Sequence, residues 1–346
     1  MTHATTPAPE NGTSVTIELP NRSTLRNRLA RPLLFWTIRT GLEALSYGGK
    51  HILRTKWLFW VSSRTDGPAA ILVPPRGTRR RQVRLANFRA EWLWDKRTAD
   101  PFKRRDAAIL YFHGGGFVSC GLNTHRRFVA KIGKTSGMPV FNVDYRQLPQ
   151  AHFVDTLADA LHSYEHLLAE GFPAENIILS GDSAGGGLAM RLALAARDNG
   201  LPVPGGLSLI APWADLDWTR RNAHPNAGLD QILPPLGIET IARLGYTIDG
   251  KLDPHWSSVN HDFTGMPPIL VQVGSNECLM SDAEQLAQRC AEANVPCRLQ
   301  IWDLAAHVHH AASDIEPGAR AAIRELGEFN RQILAARRPT THTPAA

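Results

Sequence analysis

A serine enclosed by glycines is the residue whose surroundings most clearly predict chemistry. The run Gly181-Asp182-Ser183-Ala184-Gly185 matches the pattern G-x-S-x-G, with an apolar run before it and an alanine-rich helical pattern after it. In that context the glycines let the backbone turn sharply and expose the Ser183 hydroxyl. The helix that follows directs its N-terminus at the same point and favours developing negative charge there. The pattern also occurs as a structural Gly/Ser turn, so other residues are needed to distinguish a catalytic serine from a structural one.

A second glycine-rich run decides in favour of chemistry. His113-Gly114-Gly115-Gly116 follows an earlier apolar run, where a loop at the same edge of a sheet is expected. Consecutive glycines allow two backbone N–H groups to turn toward one substrate oxygen. We expect Gly114 and Gly115 to supply these donors, and the N–H of Ala184 to supply a third. A phosphate-binding loop or a plain turn is the alternative, and the downstream Ser183 motif disfavours it.

Three histidines near the C-terminus compete for the role of general base. They lie in the segment Leu304-Ala305-Ala306-His307-Val308-His309-His310. His307 is the closest to the predicted strand that ends near Trp302. We therefore expect His307 to activate Ser183. His309 and His310 are interpreted as residues of a helix start or of the surface.

The elements that must position these residues alternate from about residue 106 onward. Short β-branched runs predict strands at 107–112, 140–145, 177–180, 207–211, 269–273 and 298–302. Apolar residues at spacings of three and four predict helices at 155–170, 184–199, 282–293 and 319–335. This alternation is typical of an α/β protein with a mainly parallel central sheet flanked by helices.

The two motifs together resemble the hormone-sensitive-lipase family of esterases. The run Asp144-Tyr145-Arg146, followed by Pro149 and Asp159, resembles that family's segment between the motifs, and the likeness covers about residues 107–335. The resemblance implies an α/β-hydrolase fold with a helical cap, and a carboxylesterase or lipase that needs no cofactor and no metal. It also implies a Ser–acid–His triad in that chain order and a small-molecule ester substrate with a short to medium acyl chain.

The acid is where this chain departs from the family pattern. The family usually places an Asp after the strand that ends near Gly274, in the motif Asp-Pro-Leu-x-Asp, but here the first acidic residue is Glu277. Asn276 carries no charge with which to stabilise an imidazolium. We favour Glu277 because it lies at the strand tip, 30 residues before His307, which is the family's usual interval. Asp282, where the family's second Asp supports a helix start, remains the alternative acid.

Two other functions compete with ester hydrolysis. The same triad serves amide bonds, so an amidase or peptidase is the alternative reaction. A non-catalytic ligand-binding protein on a hydrolase scaffold is the alternative of another class, although such proteins usually lose a triad residue or a glycine of the oxyanion loop. Cys278, beside Glu277, lacks the surrounding His-bearing motif of a cysteine hydrolase.

The charge of the chain is divided unevenly. Residues 1–106 hold 20 Lys and Arg against 8 Asp and Glu, a balance of +12, and the remainder holds 18 against 24, a balance of −6. The ordinary interpretation of such a charge is a solvated basic face. The more specific interpretation is that this basic N-terminal segment makes peripheral contact with anionic lipid. Nucleic-acid binding is not expected, since no recognisable nucleic-acid module accompanies the charge.

The patterning divides the chain into four parts. We expect a mobile N-terminus at 1–15, an N-terminal cap segment at 16–90, the hydrolase domain at 91–336 and a mobile tail at 337–346, with a candidate second cap segment at 217–266. The two cap segments are expected to fold together over the active site, and surface decoration is the alternative. Aromatic residues of the first segment are candidates for an acyl pocket, a lipid contact or the core of the cap: Phe35, Trp36, Trp57, Phe59 and Trp60.

The N-terminal pattern, the lengths of the apolar runs and the cysteines bear on the compartment of the protein. The pattern of a signal peptide is missing at the N-terminus, and no run of about 18 apolar residues is present. The four cysteines have neither zinc-site spacing nor the density of a secreted scaffold. We therefore expect a cytoplasmic protein with reduced thiols. Its oligomeric state is left open, a dimer included.

Overall fold

A mainly parallel sheet of nine strands forms the centre of the computed structural model, which describes residues 14–23, 25–51, 60 and 62–336. The strands of this sheet are β1 (Val15–Glu18), β2 (Thr78–Arg84), β3 (Arg89–Asp95), β4 (Ala108–Phe112), β5 (Val140–Asp144), β6 (Ile177–Asp182), β7 (Gly206–Ile210), β10 (Ile269–Gly274) and β11 (Cys297–Trp302). A separate two-stranded ribbon consists of β8 (Thr247–Ile248) and β9 (Lys251–Leu252). The order across the main sheet is β1-β11-β10-β7-β6-β4-β5-β3-β2, and only the pairs β5–β3 and β3–β2 are antiparallel.

Helices cover both faces of the sheet and its carboxyl edge. They are α1 (Leu25–Leu34), α2 (Thr40–His51), α3 (Leu122–Ser136), α4 (Phe153–Ala169), α5 (Ala184–Asp198), α6 (Thr219–Ala223), α7 (Pro235–Gly245), α8 (Met280–Glu292) and α9 (Pro317–Ala336). A π-helical turn, Phe35–Arg39, joins α1 to α2. Short 3-10 turns occur at Gly67–Ile71, Ala174–Asn176, Pro225–Gly228, Pro254–Trp256, Ser258–Asn260 and His309–Ala312.

The alternation of side chains along β4 shows why the central strands are apolar without interruption. Ile109 and Tyr111 point into the cluster formed with α3 and α9, while Leu110 and Phe112 point into the cluster formed with α4 and α5. All four side chains are fully buried. A parallel sheet covered on both faces needs apolar residues at every position, which is the pattern that the sequence displays from residue 107 onward.

The predicted α/β architecture is confirmed, with a mainly parallel sheet flanked by helices. The six predicted strands correspond to β4, β5, β6, β7, β10 and β11, and the four predicted helices correspond to α4, α5, α8 and α9, with ends that differ by up to two residues. The predicted N-terminal cap segment contains α1, the π-helical turn and α2. Strands β1, β2 and β3 were not among the predicted elements.

The predicted division of the chain is wrong at the ends of the N-terminal cap segment, 16–90. Strand β1 pairs with β11 at one edge of the sheet, and β2 pairs with β3 at the other edge, so both ends of this segment belong to the hydrolase sheet. Strand β2 was hidden because it is an edge strand rich in exposed arginines, which such strands tolerate. Residue 15, predicted as mobile, lies in β1. Residues 1–13 and the predicted tail at 337–346 lie outside the described residues.

The helical layer above the carboxyl edge of the sheet combines both predicted cap segments. Helix α2 packs against α7, so the N-terminal segment contacts the segment that follows β7. The buried Arg39 strengthens this contact, because its Nη1 donates a hydrogen bond to the backbone carbonyl of Asp230 at 2.7 Å. Within the described ranges, no helix is both long and apolar enough to cross a bilayer.

Candidate active site

Ser183 occupies a strained turn between β6 and α5. Its φ is +52° and its ψ is −123°, a conformation that residues other than glycine adopt only where the surroundings enforce it. The neighbouring glycines are required by close backbone approach: a Cβ on Gly181 would lie 2.4 Å from the carbonyl oxygen of Gly185, and one on Gly185 would lie 2.1 Å from that of Phe112. The turn thus presents the Ser183 hydroxyl at the carboxyl edge of the sheet.

Ser183, His307 and Glu277 form a continuous hydrogen-bonded chain. His307 Nε2 lies 3.0 Å from Ser183 Oγ, and His307 Nδ1 lies 2.6 Å from Glu277 Oε2. The other carboxylate oxygen of Glu277 accepts a hydrogen bond from the N–H of Gly274 at 2.7 Å, which fixes the carboxylate. In this arrangement the imidazole can accept the serine proton while the carboxylate stabilises the resulting positive charge.

The pKa shifts of His307 and Glu277 favour proton transfer to the imidazole. Burial acts to lower the pKa of His307, but the charge and hydrogen bond of Glu277 outweigh it, so the pKa lies above its ordinary value. Burial raises the pKa of Glu277, and the charge of His307 offsets part of that rise. Each group therefore stabilises the charged form of the other.

Asp282, the alternative acid, points away from His307. Its Oδ1 accepts hydrogen bonds from the N–H groups of Ala214 and Asp215 at 3.0 and 2.9 Å, and it forms a buried ion pair with Arg221 at 3.1 Å. The carboxylate thus joins the start of α8 to the loop after β7. The structure brings Glu277, and not Asp282, to the imidazole.

The other two candidate histidines have different surroundings. His310 is buried, and its Nε2 lies 2.7 Å from the side-chain oxygen of Gln272 on β10. The ring of His309 lies beside that of Trp302, and burial lowers its pKa to about 4. Of the three histidines, His307 is the one that contacts Ser183.

The predicted oxyanion loop, His113–Gly116, differs from the expectation in the direction of the Gly114 N–H. The N–H of Gly114 lies 3.1 Å from Asp182 Oδ1 and therefore does not face a substrate, so its prediction as a donor is wrong. The next two glycines have φ values of +119° and +64°, and both Gly115 and Gly116 line the cavity in front of Ser183. The physical reason is that the Asp182 carboxylate is buried and would be unstable without hydrogen-bond donors, so the Gly114 N–H turns toward it.

Asp182 connects the serine turn with the oxyanion loop. Besides Gly114, its carboxylate accepts a hydrogen bond from Tyr111 Oη at 2.7 Å and lies 3.2 Å from His125 Nε2. Burial acts to raise the pKa of Asp182, but the interaction with His125 and the hydrogen bond from the Tyr111 hydroxyl lower it overall. Sequence reasoning identified neither Tyr111 nor His125. The strand alternation around Tyr111 was readable, but nothing in the sequence linked His125 to the motif.

A cavity of about 430 Å³ opens in front of Ser183 and His307. Its wall is mostly apolar and combines the cap, the oxyanion loop and the loops after the strands. Apolar lining residues include Leu42, Val118, Phe128, Trp213, Ile238 and Leu279. Of the predicted aromatic residues, Trp57 and Phe59 lie outside the described part of the chain. Among the described residues, no group of three or more His, Cys, Asp or Glu side chains could hold a metal ion.

The fold and the Ser–His–Glu arrangement define an α/β-hydrolase, and comparison with known proteins agrees. A family described as alpha/beta hydrolase fold matches residues 109–311. Esterase LipU of Mycobacterium tuberculosis is 32% identical over 292 residues, which are 82% of this chain and 96% of that protein. Carboxylesterase/phospholipase LipF of the same organism is 32% identical over 273 residues, which are 76% of this chain and 71% of that protein.

Solved structures give the same relationship. The crystal structure of an esterase from the bacterial hormone-sensitive lipase family is 30% identical and superposes with a TM-score of 0.72, over 88% of this chain and 98% of that one. The chain therefore belongs to the α/β-hydrolase family, among the esterases that resemble hormone-sensitive lipase.

Proposed function

We propose that this serine ester hydrolase cleaves carboxylic esters through an acyl-enzyme intermediate on Ser183. The observation that carries the proposal is the chain of contacts from Ser183 Oγ to His307 Nε2, at 3.0 Å, and from His307 Nδ1 to Glu277, at 2.6 Å. Ser183 is the nucleophile, His307 the general base and Glu277 the acid that orients it. Rapid labelling of Ser183 by a fluorophosphonate probe tests this proposal, and a merely ligand-binding protein would not react.

The reaction proceeds in two steps. His307 takes the proton of Ser183 as Oγ attacks the ester carbonyl carbon, and the resulting tetrahedral intermediate collapses when His307 returns that proton to the leaving alcohol. Water then enters, gives its proton to His307 and attacks the acyl-enzyme. The acid departs as Ser183 recovers its proton, so the enzyme returns to its first state without a cofactor.

Three backbone donors stabilise the oxyanion in this proposal: Gly115, Gly116 and Ala184. The two glycines line the cavity, and the N–H of Ala184, in the first turn of α5, has no partner within its own helix. The positive end of α5 adds to this field. Loss of one such donor typically costs roughly 100–1,000-fold in rate.

Esters are preferred to amides in the proposal because the relatives named above are esterases. The alternative, an amidase or peptidase reaction, needs the same triad. A panel of esters and amides with identical acyl groups separates the two. We expect kcat/KM to be higher for the ester in every pair, and a consistent preference for the amide would reverse the assignment.

The cavity favours acyl groups of short to medium length. Its volume, about 430 Å³, lies toward the lower end of the range typical of small-molecule sites, and its wall is mostly apolar. We expect kcat/KM for p-nitrophenyl esters to rise from acetate to medium chains and to fall for long ones. A steady rise through palmitate would show that the acyl chain leaves the cavity and lies elsewhere.

A peripheral contact with anionic lipid is the second part of the proposal. Leu25, Leu29 and Leu33 follow one face of α1 at spacings of four, and Trp36 follows them in the π-helical turn; each of the four is between 65% and 73% exposed. Exposed arginines flank this face at 22 and 28. An apolar stripe bordered by basic residues suits the interface of a bilayer that contains acidic lipids.

Co-sedimentation with vesicles tests the lipid contact. We expect the protein to sediment with phosphatidylglycerol vesicles more than with phosphatidylcholine vesicles, and Leu29→Glu to abolish the difference. Val154→Glu, at an exposed apolar position on α4, is the matched control. Equal sedimentation of all three proteins would contradict the contact. If the protein instead formed a concentration-dependent dimer that dissociated in Leu29→Glu, this face would be assigned to contact with a second copy of the chain.

A cytoplasmic location also remains a proposal. All four cysteines are free in the structure, and Cys278, Cys290 and Cys297 are buried, as expected of reduced thiols. Alkylation of the unfolded protein without reductant is expected to modify all four, and modification of only two would contradict it.

A further inference from the structure

The segment between α6 and α7 lies across the loops that carry the proposed acid and base. In this segment, residues 226–231, Asn226 Nδ2 donates a hydrogen bond to the backbone carbonyl of Glu277 at 3.0 Å. Gln231 Nε2 donates to the backbone carbonyl of Leu304, on the loop that leads to the base, at 3.3 Å. One short stretch of the cap thus contacts both loops.

Asp230 is the buried charge of this segment. Its Oδ2 accepts a hydrogen bond from the N–H of Cys278 at 2.9 Å, directly after Glu277 in the chain. Its Oδ1 accepts from the N–H groups of Ile232 and Leu233, both at 2.9 Å, and these two residues line the cavity. Three backbone donors therefore hold the carboxylate, and within the described residues no cationic side chain forms an ion pair with it.

Arg39 ties the same segment to the N-terminal helices. It is the buried residue of the π-helical turn Phe35–Arg39, at 6% exposure. Its guanidinium donates to the backbone carbonyl of Asp230 at 2.7 Å and to that of Ala227 at 3.4 Å. A charge-assisted bond at this distance to a buried carbonyl is stronger than a bond between neutral groups.

We infer that Asp230 is a positioning residue for the Glu277–His307 pair, and that Arg39 connects this role to the N-terminal helices. The carboxylate fixes the loop of Glu277 through the N–H of Cys278, and it fixes the cavity wall through Ile232 and Leu233. The cap therefore sets the geometry of the chemistry as well as enclosing the substrate. This inference rests on the proposed function, because it assigns Glu277 and His307 their catalytic roles.

The charge of Asp230 also acts on His307. The groups that face His307 are Ser183 and Asp182 on the serine turn, Glu277 on the acid loop, Asp230 on the cap and His310 on its own loop. Burial lowers the pKa of His307, Glu277 raises it most, and Asp230 and Asp182 raise it further. Removal of the Asp230 charge should therefore lower the pKa of His307.

Asp230→Asn tests the inference, with Asp249→Asn as its control. Asparagine keeps the shape of the side chain and an acceptor oxygen but removes the charge. Asp249 lies in the predicted second cap segment, 217–266, in the exposed turn between β8 and β9. Its substitution therefore changes the net charge by the same amount as Asp230→Asn. We expect Asp230→Asn to lower kcat about tenfold or more, with a smaller change in KM, as loss of a positioning contact does.

The pH profile separates positioning from mere stability. His307 must be neutral to act as base, so a lower pKa moves the acidic limb of kcat/KM to lower pH. We expect Asp230→Asn to shift this limb downward by several tenths of a pH unit, and Asp249→Asn to leave it in place. A lower melting temperature with an unshifted limb and an unchanged kcat would overturn the inference.

Substitutions of Arg39 test the connection to the N-terminal helices. Arg39→Met should lower kcat several-fold, and Arg39→Lys should restore part of it, because lysine can still donate one hydrogen bond to the Asp230 carbonyl. Unchanged kcat in Arg39→Met would contradict the connection. If Ser183→Ala retained activity, the proposed function itself would be rejected. If Ser183→Ala were inactive but Asp230→Asn kept the wild-type kcat and pH profile, only the positioning role would be rejected.

Discussion

His307 Nε2 lies 3.0 Å from Ser183 Oγ, although 124 residues separate them in the chain. Parallel strands bring them together. Ser183 follows β6, Glu277 follows β10 and His307 follows β11, and in a parallel sheet the carboxyl ends of all strands lie at one edge. Loops from distant parts of the chain can therefore meet there on a rigid support.

The acid is tested by comparing Glu277→Gln with Asp282→Asn. Glutamine cannot stabilise the imidazolium and can hold the ring in the wrong tautomer, so we expect Glu277→Gln to lower kcat by on the order of 10⁴-fold. Steady-state hydrolysis of p-nitrophenyl butyrate measures the loss. Activity within tenfold of the wild type would reject Glu277 as the acid.

Asp282→Asn should act on stability instead. The substitution leaves Arg221 buried without its charged partner, and breaking a buried ion pair in this way costs roughly 3–5 kcal/mol. We expect a lower denaturation midpoint, with a smaller loss of kcat than Glu277→Gln causes. The opposite ranking of the two variants in kcat would restore Asp282 as the acid.

The pH dependence of kcat/KM reports His307. Because Glu277 raises the pKa of His307 above its ordinary value of 6.5, the base becomes protonated, and activity falls, as pH decreases through that raised pKa. We expect the midpoint of the acidic limb to lie above pH 6.5 in the wild type. Glu277→Gln removes the main cause of the rise, so residual activity should persist to lower pH. A midpoint well below 6.5 in the wild type would contradict this account.

The link between the serine turn and the oxyanion loop is tested by Tyr111→Phe. The variant removes the hydroxyl that donates to Asp182 at 2.7 Å and leaves a buried carboxylate with one donor fewer. Such a loss costs roughly 1–3 kcal/mol of stability. We expect a lower free energy of unfolding in urea, with a decrease in kcat because Gly114 shares the same carboxylate. Tyr145→Phe, which loses a bond to the carbonyl of His113, is a control on the other side of the loop.

The sequence was informative where local chemistry determines structure. A sharp turn between β6 and α5 needs glycines beside Ser183, and an oxyanion loop needs them after His113, so both motifs were readable. The apolar runs of β4 to β7 were readable because both faces of these strands are buried. Glu277 was inferred from its place at a strand tip and from its interval to His307.

The rest depends on contacts between residues that are distant in the chain. Strand β3 was hidden because it contains Glu91, whose buried carboxyl group is held by Arg126, 2.9 Å away, and by Asn142, whose Nδ2 donates to it at 3.3 Å. The orientation of Gly114 depends on Asp182, 68 residues later. Asp230 likewise has no motif of its own, and its importance follows only from the backbone groups that surround it.

The identity of the nucleophile is the central claim, and covalent labelling measures it most directly. The purified protein is incubated with a fluorophosphonate, digested and examined by mass spectrometry, with Ser183→Ala treated in parallel. We predict one adduct per chain, on Ser183, with loss of esterase activity in step with labelling. The variant should remain folded by circular dichroism, unlabelled and inactive. An adduct on another residue, or wild-type turnover in Ser183→Ala, would contradict the account.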